Sequence, residues 1–461
     1  MKNTKSALLV GVGGQGAILT AKVLVNGLMK AGYDVKMSEV HGMSQRGGSV
    51  STQVHWGEKV NSPVIGKGAA DIIVAFEKME AVRYADFLKP DGIAVINDYE
   101  IASSSIAAGL CKYPDGCLEA MQQHFRCYVL NAAELQQYHT SAEPGPMRLS
   151  VIRSFMERNG IDEKELAAVL GRGGLVFGLR TGGYIVDDEL CHALVDDELS
   201  QPHASNLGGL LARELAQPLG IPAYIYDAVT SGELTDIAKI TGYAEIERQS
   251  FCHVLNSRAM AIRYAKQQGR NYKDMNLIVV HMGGGVSASV HKHGEIVDSV
   301  GDDDGQFSPE RAGCAPALSM IKLCYSGKYS YEEMRRKIRG RGGMYAHLGV
   351  SDCRVIEQMI KDGDEHAALI LDAQAYQIAK TIGLLSIVLK GDCDAIILTG
   401  GLAYSELLTG KIKDYVGFIA PVCVLAGETE MEALALGGVR MLTGEEQPNV
   451  YHASDGKGKN K

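Results

Sequence analysis

Residues 7–31 read ALLVGVGGQGAILTAKVLVNGLMKA. An apolar run at 7–12 gives way to Gly13-Gly14-Gln15-Gly16, and an apolar-periodic segment of helical length follows from 17 to 31. The pattern is strand, glycine turn, helix. Further apolar runs at 71–75 and 92–96 bracket a helix-like stretch at 78–88, so strands and helices alternate and an open α/β sheet is expected. Beyond the polar segment QQYHTSAEPGPM at 136–147, apolar runs at 277–280, 395–398 and 422–425 interleave with long helical patterns, notably 366–390. A second, larger α/β part is expected there, ending in a frayed, lysine-rich tail after Glu445.

The chain has 461 residues, enough for more than one core, and its 46% apolar and 22% charged residues are those of a globular protein. With 46 Lys and Arg against 55 Asp and Glu the net charge is -9, which disfavours a broad phosphate-tracking surface; no nucleic-acid partner is expected. Ten cysteines without a CxxC pair argue against a ferredoxin-type cluster or a zinc ribbon, and a reducing cytoplasm is the simpler setting. The N-terminal apolar run lacks a small-residue cleavage site and is expected to be a buried first strand. No stretch reaches the roughly 18 apolar residues of a membrane span, so a soluble protein is expected. The 54 glycines gather in tight groups, implying sharp turns or close backbone approaches to a ligand.

The first such group, Gly11-Val12-Gly13-Gly14-Gln15-Gly16, has GxGxxG spacing between a strand and a helix, which suits either a dinucleotide pyrophosphate or a plain turn. The ribose acid expected about 20 residues further on would be Glu39, but it falls beside the run SEVHGMSQRGGSV at 38–50. That loop could present donors to an anionic cofactor or a partner subunit, or be an ordinary satisfied turn.

In the second part, Arg172 stands in Gly171-Arg172-Gly173-Gly174, where its fork could face an anion or make a surface salt bridge. Asp227 ends the apolar run Tyr224-Ile225-Tyr226 and could orient an arginine or a magnesium ion, or cap a helix. Gly283-Gly284-Gly285 lies between the arms of an apparent hairpin, suited to a triphosphate or only to a tight turn. Arg311 sits in Ser308-Pro309-Glu310-Arg311-Ala312-Gly313, and a late strand ends on Gly400-Gly401, which suits close approach of an adenosine.

Read together, these pieces carry two resemblances. GVGGQG, SEVHGMSQRGGSV and SPVIGKGAADIIVAFEKMEAVRY, within residues 5–135, closely resemble the gamma or beta subunit of the 2-oxoacid:ferredoxin oxidoreductases, especially indolepyruvate oxidoreductase. What this implies is an accessory docking domain, trimmed at its C-terminal helices, with thiamine diphosphate and clusters carried elsewhere. VLGRGG, HASNLGG, IPAYIYDAV, ERQSFCHVLNSRA, NLIVVHMGGGVS, FSPERAG, LCYSGKYS, AYQIAK, DAIILTGGLAYS and GETEMEALALGG, over about 149–443, resemble butyrate kinase, a relative of acetate kinase in the actin and sugar-kinase superfamily.

By motif position, that resemblance implies Arg172 and Arg311 as a phosphoryl clamp, His253 as a further donor and Asp227 as the carboxylate that orients the reacting groups. It implies Gly283, Gly284 and Gly285 as the phosphate loop, Gly400 and Gly401 as the adenosine turn, Asp352 and Arg354 as nucleoside contacts, and Glu430, with Glu432 as an alternative, as the metal-side carboxylate. One departure stands out: the family's opening strand and its Asn-Pro-Gly-Ser-type loop do not precede residue 149, where the oxidoreductase-like part stands instead.

The expectation is an α/β protein with an N-terminal open-sheet domain (1–135), a junction (136–147), an incomplete two-lobed, actin-like, acetate kinase-type domain (148–445) and a polar tail (446–461). Its expected function is butyrate kinase-like transfer of phosphate from ATP, with Mg²⁺, to a short-chain carboxylate, impaired by the missing loop. Two alternatives stand beside it: an oxidoreductase subunit with a passive kinase-like appendage, and a non-catalytic assembly protein. The expected partners are the carboxylate, an oxidoreductase subunit met through the N-terminal domain, and further copies of the chain in a homo-oligomer.

Overall fold

The computed structural model describes residues 4–12, 17–41, 49–101, 112–130 and 145–456. The glycine turn at 13–16, the loop at 42–48 and the junction residues before 145 lie outside the described residues. The chain divides into two compact units, Met1–His139 and Thr140–Lys461.

In the first unit, β1 (Lys5–Val12), β2 (Asp34–His41), β3 (Ser49–Gly57), β4 (Ala70–Ala75), β5 (Leu88–Asn97) and β6 (Arg126–Leu130) form one sheet in the order β2-β3-β1-β4-β5-β6. Strands β1, β4, β5 and β6 run parallel, while β3 is antiparallel to both β1 and β2. The run at 7–10 is continuously apolar because the sheet is covered on both faces. Leu8 and Val10 pack with Ile73, Ala94 and Ile96 on one side, and Ala7 and Leu9 pack with Ala21 and Val54 on the other.

The second unit opens with the helix Gly145–Arg158, so the last three residues of the expected junction, 145–147, belong to a helix and not to a linker. Its first lobe holds β7 (Val169–Arg172), β8 (Gly183–Ile185) and β9 (Ala223–Tyr226) in the order β7-β9-β8. Its second lobe holds β10 (Asn276–Met282), β11 (Val286–Lys292), β12 (Glu295–Val300), β13 (Ala395–Gly400) and β14 (Val422–Ala426) in the order β12-β11-β10-β13-β14. Among the described residues the first lobe thus has three strands where the second has five.

Alternation along β10 and β11 decides what each face does. Ile278, Val280, Met282, Val286, Ala288 and Val290 point into the core shared with the helix Glu365–Ser386. Leu277 and Val279 point the other way, toward Met260, Ala261 and Ala265 of the helix Val254–Gln267. Burying each such aliphatic side chain contributes about 1.5–3 kcal/mol, so the hairpin between these strands stands on a rigid base.

Within the polar tail, residues 446–456 dock rather than fray, and the lysine-rich end at 457–461 lies outside the described residues. Ile185 donates its backbone N–H to the Asn449 carbonyl at 3.0 Å, and Asn449 N–H reaches the Gly183 carbonyl at 2.7 Å, so the segment extends the edge of β8. Tyr451 is completely buried in the first-lobe core among residues such as Tyr184, Leu190 and Ile225. A large aromatic ring outweighs the polar composition around it. No helix among the described residues is long and apolar enough to cross a membrane.

Candidate active site

The site is built around the turn joining β10 to β11. Gly283 N–H closes it on the Gly285 carbonyl at 2.8 Å, and Ser308 Oγ–H and Glu310 N–H both donate to the Gly284 carbonyl, at 2.7 and 3.3 Å. A Cβ on Gly283 would stand 3.2 Å from both Glu428 Oε1 and His281 Nε2, so a side chain would crowd the groups that ring the turn. The segment that buttresses the turn also delivers Arg311, whose Nε lies 3.0 Å from Asp302 Oδ2 beside Gly285.

Arg172 arrives from the first lobe. It is the last residue of β7 and not part of a bare turn; the glycine before it is required by packing, since a Cβ on Gly171 would lie 2.0 Å from the Gly208 carbonyl oxygen. Its guanidinium takes Glu430 at two points, Nη1 to Oε2 at 2.7 Å and Nη2 to Oε1 at 3.1 Å. Glu430 begins the helix Glu430–Leu442, where a carboxylate also meets the positive end of the helix dipole.

His253 immediately precedes the helix Val254–Gln267. Burial pushes its imidazole down to about 3, and His281, Arg311 and Arg172 add to the effect. Its ring stacks on His281 at 3.9 Å between centroids and 14° between planes, and its Nδ1 lies 2.8 Å from Ser287 Oγ. His281 is itself held by Asn256 Nδ2, 2.8 Å from Nδ1, with Glu428 Oε1 3.5 Å from Nε2. The hydrogen bond from His281 lowers the Glu428 carboxyl below its usual range, burial opposes this, and Arg172 contributes in the same direction as His281. A neutral histidine, two permanent cations and a glycine turn therefore share one locality, a set suited to binding an anion whose charge is spread over several oxygens.

Asp227 is placed differently. Its side chain is only 2% exposed and carries an ion pair with Arg258 Nη1 at 3.1 Å, while Gly182 N–H donates to it at 2.7 Å. Arg258 also bonds Tyr226 and Glu446, so the carboxylate belongs to a buried network at the end of β9 rather than to an open surface. Asp227 holds φ at 45°, a left-handed conformation that Asp tolerates better than most residues.

Gly400 has φ 86°, and a Cβ there would lie 2.4 Å from the Met282 carbonyl oxygen. Its lack of a side chain thus serves contact with β10, whereas Gly401 faces open space. Asp352 caps the helix Cys353–Lys361 and takes Arg354 at two points, 3.0 and 2.6 Å, so these two residues hold each other. Glu357 of that helix accepts from Ser405 Oγ, which ties this pair to the Gly400–Gly401 region.

The motif reading missed His281, Asn256, Ser287, Asp302, Glu428 and Arg258. Two of these were readable: in a hairpin centred on Gly284, His281 and Ser287 are equidistant from the centre and must face one another, and their register is His281↔Ser287. A cleft of about 360 Å³ lined by Arg180, Glu233, Lys239, Arg248, Ser250 and Glu295 lies away from this cluster. Its cations have carboxylate partners, as Arg172 and Arg311 have Glu430 and Asp302; what sets the turn apart is its glycine backbone beside the buried His253 and His281.

The residues fit a magnesium nucleotide. Among the described residues no three His, Cys, Asp or Glu side chains gather as a cage. Mg²⁺ that arrives with phosphates needs only one or two carboxylates, its other places being filled by phosphate oxygens and water. Glu430, the carboxylate paired with the end of β7, is held at two points by Arg172.

Two sheets in one unit, with a glycine hairpin at the end of the larger, give the second unit the two-lobed build of an acetate kinase-type fold. Residues 247–408 match the acetokinase family model, and residues 6–153 match the model for pyruvate ferredoxin/flavodoxin oxidoreductase. The chain is 46% identical over 318 residues to probable butyrate kinase 2 of Caldanaerobacter subterraneus subsp. tengcongensis, covering 69% of this chain and 90% of that protein. It is 45% identical over 323 residues to butyrate kinase 1 of Clostridium acetobutylicum, covering 70% of this chain and 91% of that protein. The acetate kinase of Porphyromonas gingivalis shares the fold, with a TM-score of 0.57 at 20% identity, over 64% of this chain and 84% of that one. Through its second unit, the chain belongs to the butyrate kinase family.

Proposed function

We propose that this chain transfers the terminal phosphoryl group of ATP to a short-chain carboxylate, giving ADP and an acyl phosphate. A carboxylate oxygen bonds to the γ-phosphorus as the bond to the bridging oxygen of ADP breaks, and catalysis is mainly positioning and charge stabilisation. Arg172, Arg311 and His253 serve the transferring oxygens, and Gly283, Gly284 and Gly285 cradle the phosphates. Asp227 acts by orienting the neighbouring arginine network. Gly400, Gly401, Asp352 and Arg354 receive the nucleoside, and Glu430 receives Mg²⁺. The observation that carries the reading is the glycine turn at 283–285, braced by Ser308 and Glu310 and flanked by Arg311 and His281, in a chain 46% identical to a butyrate kinase over 90% of that protein.

Turnover is slow in the unmodified chain, because the stretch ahead of residue 149 resembles an oxidoreductase subunit and lacks the kinases' opening phosphate loop. Losing one preorganised donor costs about 10²–10³ in rate. The test is hydroxamate capture of acyl phosphate from ATP and butyrate. Low turnover, raised when the family's opening strand and loop are grafted ahead of Leu149, is expected; ordinary butyrate kinase turnover without the graft would refute the impairment.

A second reading is favoured by the match at residues 6–153: the first unit docks on an iron–sulfur, thiamine-dependent oxidoreductase. Affinity purification of the full chain from its native cytoplasm should then recover such a partner, and sizing of the purified chain tests the expected homo-oligomer.

A further inference from the structure

Ser287 has no role in the reaction as described so far, yet its surroundings are specific. It stands on β11 directly opposite His281 on β10, and the alternation that sends Met282 and Val286 into the core sends these two toward the start of the helix Val254–Gln267. The ring of His253 meets both of them, stacking on His281 and placing Nδ1 2.8 Å from Ser287 Oγ. The backbone N–H of His253 reaches the same oxygen, at 3.2 Å. Ser287 is 2% exposed, so water contributes little to this arrangement.

The hydroxyl has one proton and two lone pairs. A backbone amide can only donate, so one lone pair of Ser287 Oγ is taken by His253 N–H. The proton of the hydroxyl then needs an acceptor, and among the described residues the acceptor within reach is His253 Nδ1. Were Nδ1 protonated instead, Ser287 would receive two donors and its own buried proton would have no partner, a cost of about 1–3 kcal/mol.

We infer that Ser287 is a positioning residue that fixes His253 as the neutral tautomer with its proton on Nε2, leaving Nε2–H as the ring's one donor for a phosphoryl oxygen. This rests on the proposed kinase reading for its purpose, but the tautomer itself does not depend on activity. Burial and the cations around His253 act in the same direction by keeping the ring neutral.

The test uses the full chain with ¹⁵N-labelled histidine, the His253 signals being assigned by their loss in His253→Gln. Long-range ¹H–¹⁵N spectra between pH 6 and 8 should show a protonated Nε2 and a bare Nδ1. In Ser287→Ala the two nitrogens should move toward an averaged pattern, and Ser287→Thr, which keeps a hydroxyl, should restore the first one. With butyrate and ATP, kcat should fall about tenfold or more in Ser287→Ala with KM little changed, and recover in the threonine variant. A protonated Nδ1 in the unmodified chain, or a tautomer unmoved by Ser287→Ala with its circular dichroism intact, overturns the inference. So does a changed tautomer with unchanged kcat. Absence of acyl phosphate from the unmodified and grafted chains alike would count against the kinase reading, and the spectra would still decide the tautomer.

Discussion

Arg172 and Glu430 grip each other at two points across 258 positions of sequence, at 2.7 and 3.1 Å. The pair ties the end of β7 to the first turn of the Glu430–Leu442 helix. Under the proposed reading, in which Arg172 serves the phosphoryl oxygens and Glu430 receives Mg²⁺, the two must exchange or share partners when a magnesium nucleotide arrives.

Arg172→Lys should therefore separate function from stability. The arginine is 48% exposed, so the ion pair is worth only about 0–1 kcal/mol to the fold. The loss of the planar fork should cost about 10²–10³ in kcat/KM. Urea unfolding and the hydroxamate assay, run on the same preparation, check both halves. A large loss of stability with activity intact would make the pair structural.

Arg311→Lys should lower kcat by about 10² or more, because a point charge cannot replace the fork that lies against Asp302 and Gly285. Turnover close to that of the grafted parent would refute its place in the clamp.

Acidification should destabilise the second unit as pH falls from about 6.5 toward about 3. His291 is fully buried, with Tyr272 OH 2.7 Å from Nδ1 and Ser289 Oγ 2.9 Å from Nε2, and burial pushes it down from 6.5 to about 3. A depressed histidine contributes fully above its unfolded value, and the contribution is lost as pH falls below it because the unfolded chain takes up the proton. Each such group adds a slope of about 1.4 kcal/mol per pH unit across that window. His291→Gln should remove one proton from the slope of unfolding free energy against pH, measured in urea. An unchanged slope would show that His291 is charged in the folded protein.

Removing the docked C-terminal segment should weaken the first lobe. Tyr451→Ala empties a fully buried aromatic site, and large-to-small changes of this kind cost about 3–5 kcal/mol. The urea midpoint is the measurement; a change of only a few tenths of a kcal/mol would mean that the segment rests on the lobe without supporting it.

Local pattern made a good part of the site legible. The apolar period along 276–291, interrupted by three glycines, specifies a hairpin, and a hairpin specifies that His281 faces Ser287. The arginines stood out because glycine neighbours leave their forks open, although the glycine at 171 answers to the backbone of Gly208 and the one at 400 to the backbone of Met282. Sequence records that a side chain is missing; only the fold tells whether a ligand or another strand fills the space.

By itself, then, the sequence determined two α/β parts, the strands and helices that compose them, the glycine hairpin and the family of the second part, all of which follow from periodicity and contiguous motifs. The tertiary structure decided which charges are spent on one another. Asp227 is committed to Arg258, Arg172 to Glu430, and Glu446 from the supposed tail to Arg258 and Arg440. It also decided that Tyr451 is core and that Ser287 and His281 enclose the ring of His253. The half-exposed Arg172–Glu430 pair apart, these depend on burial, which makes an unpaired charge or hydroxyl costly enough to choose its partner.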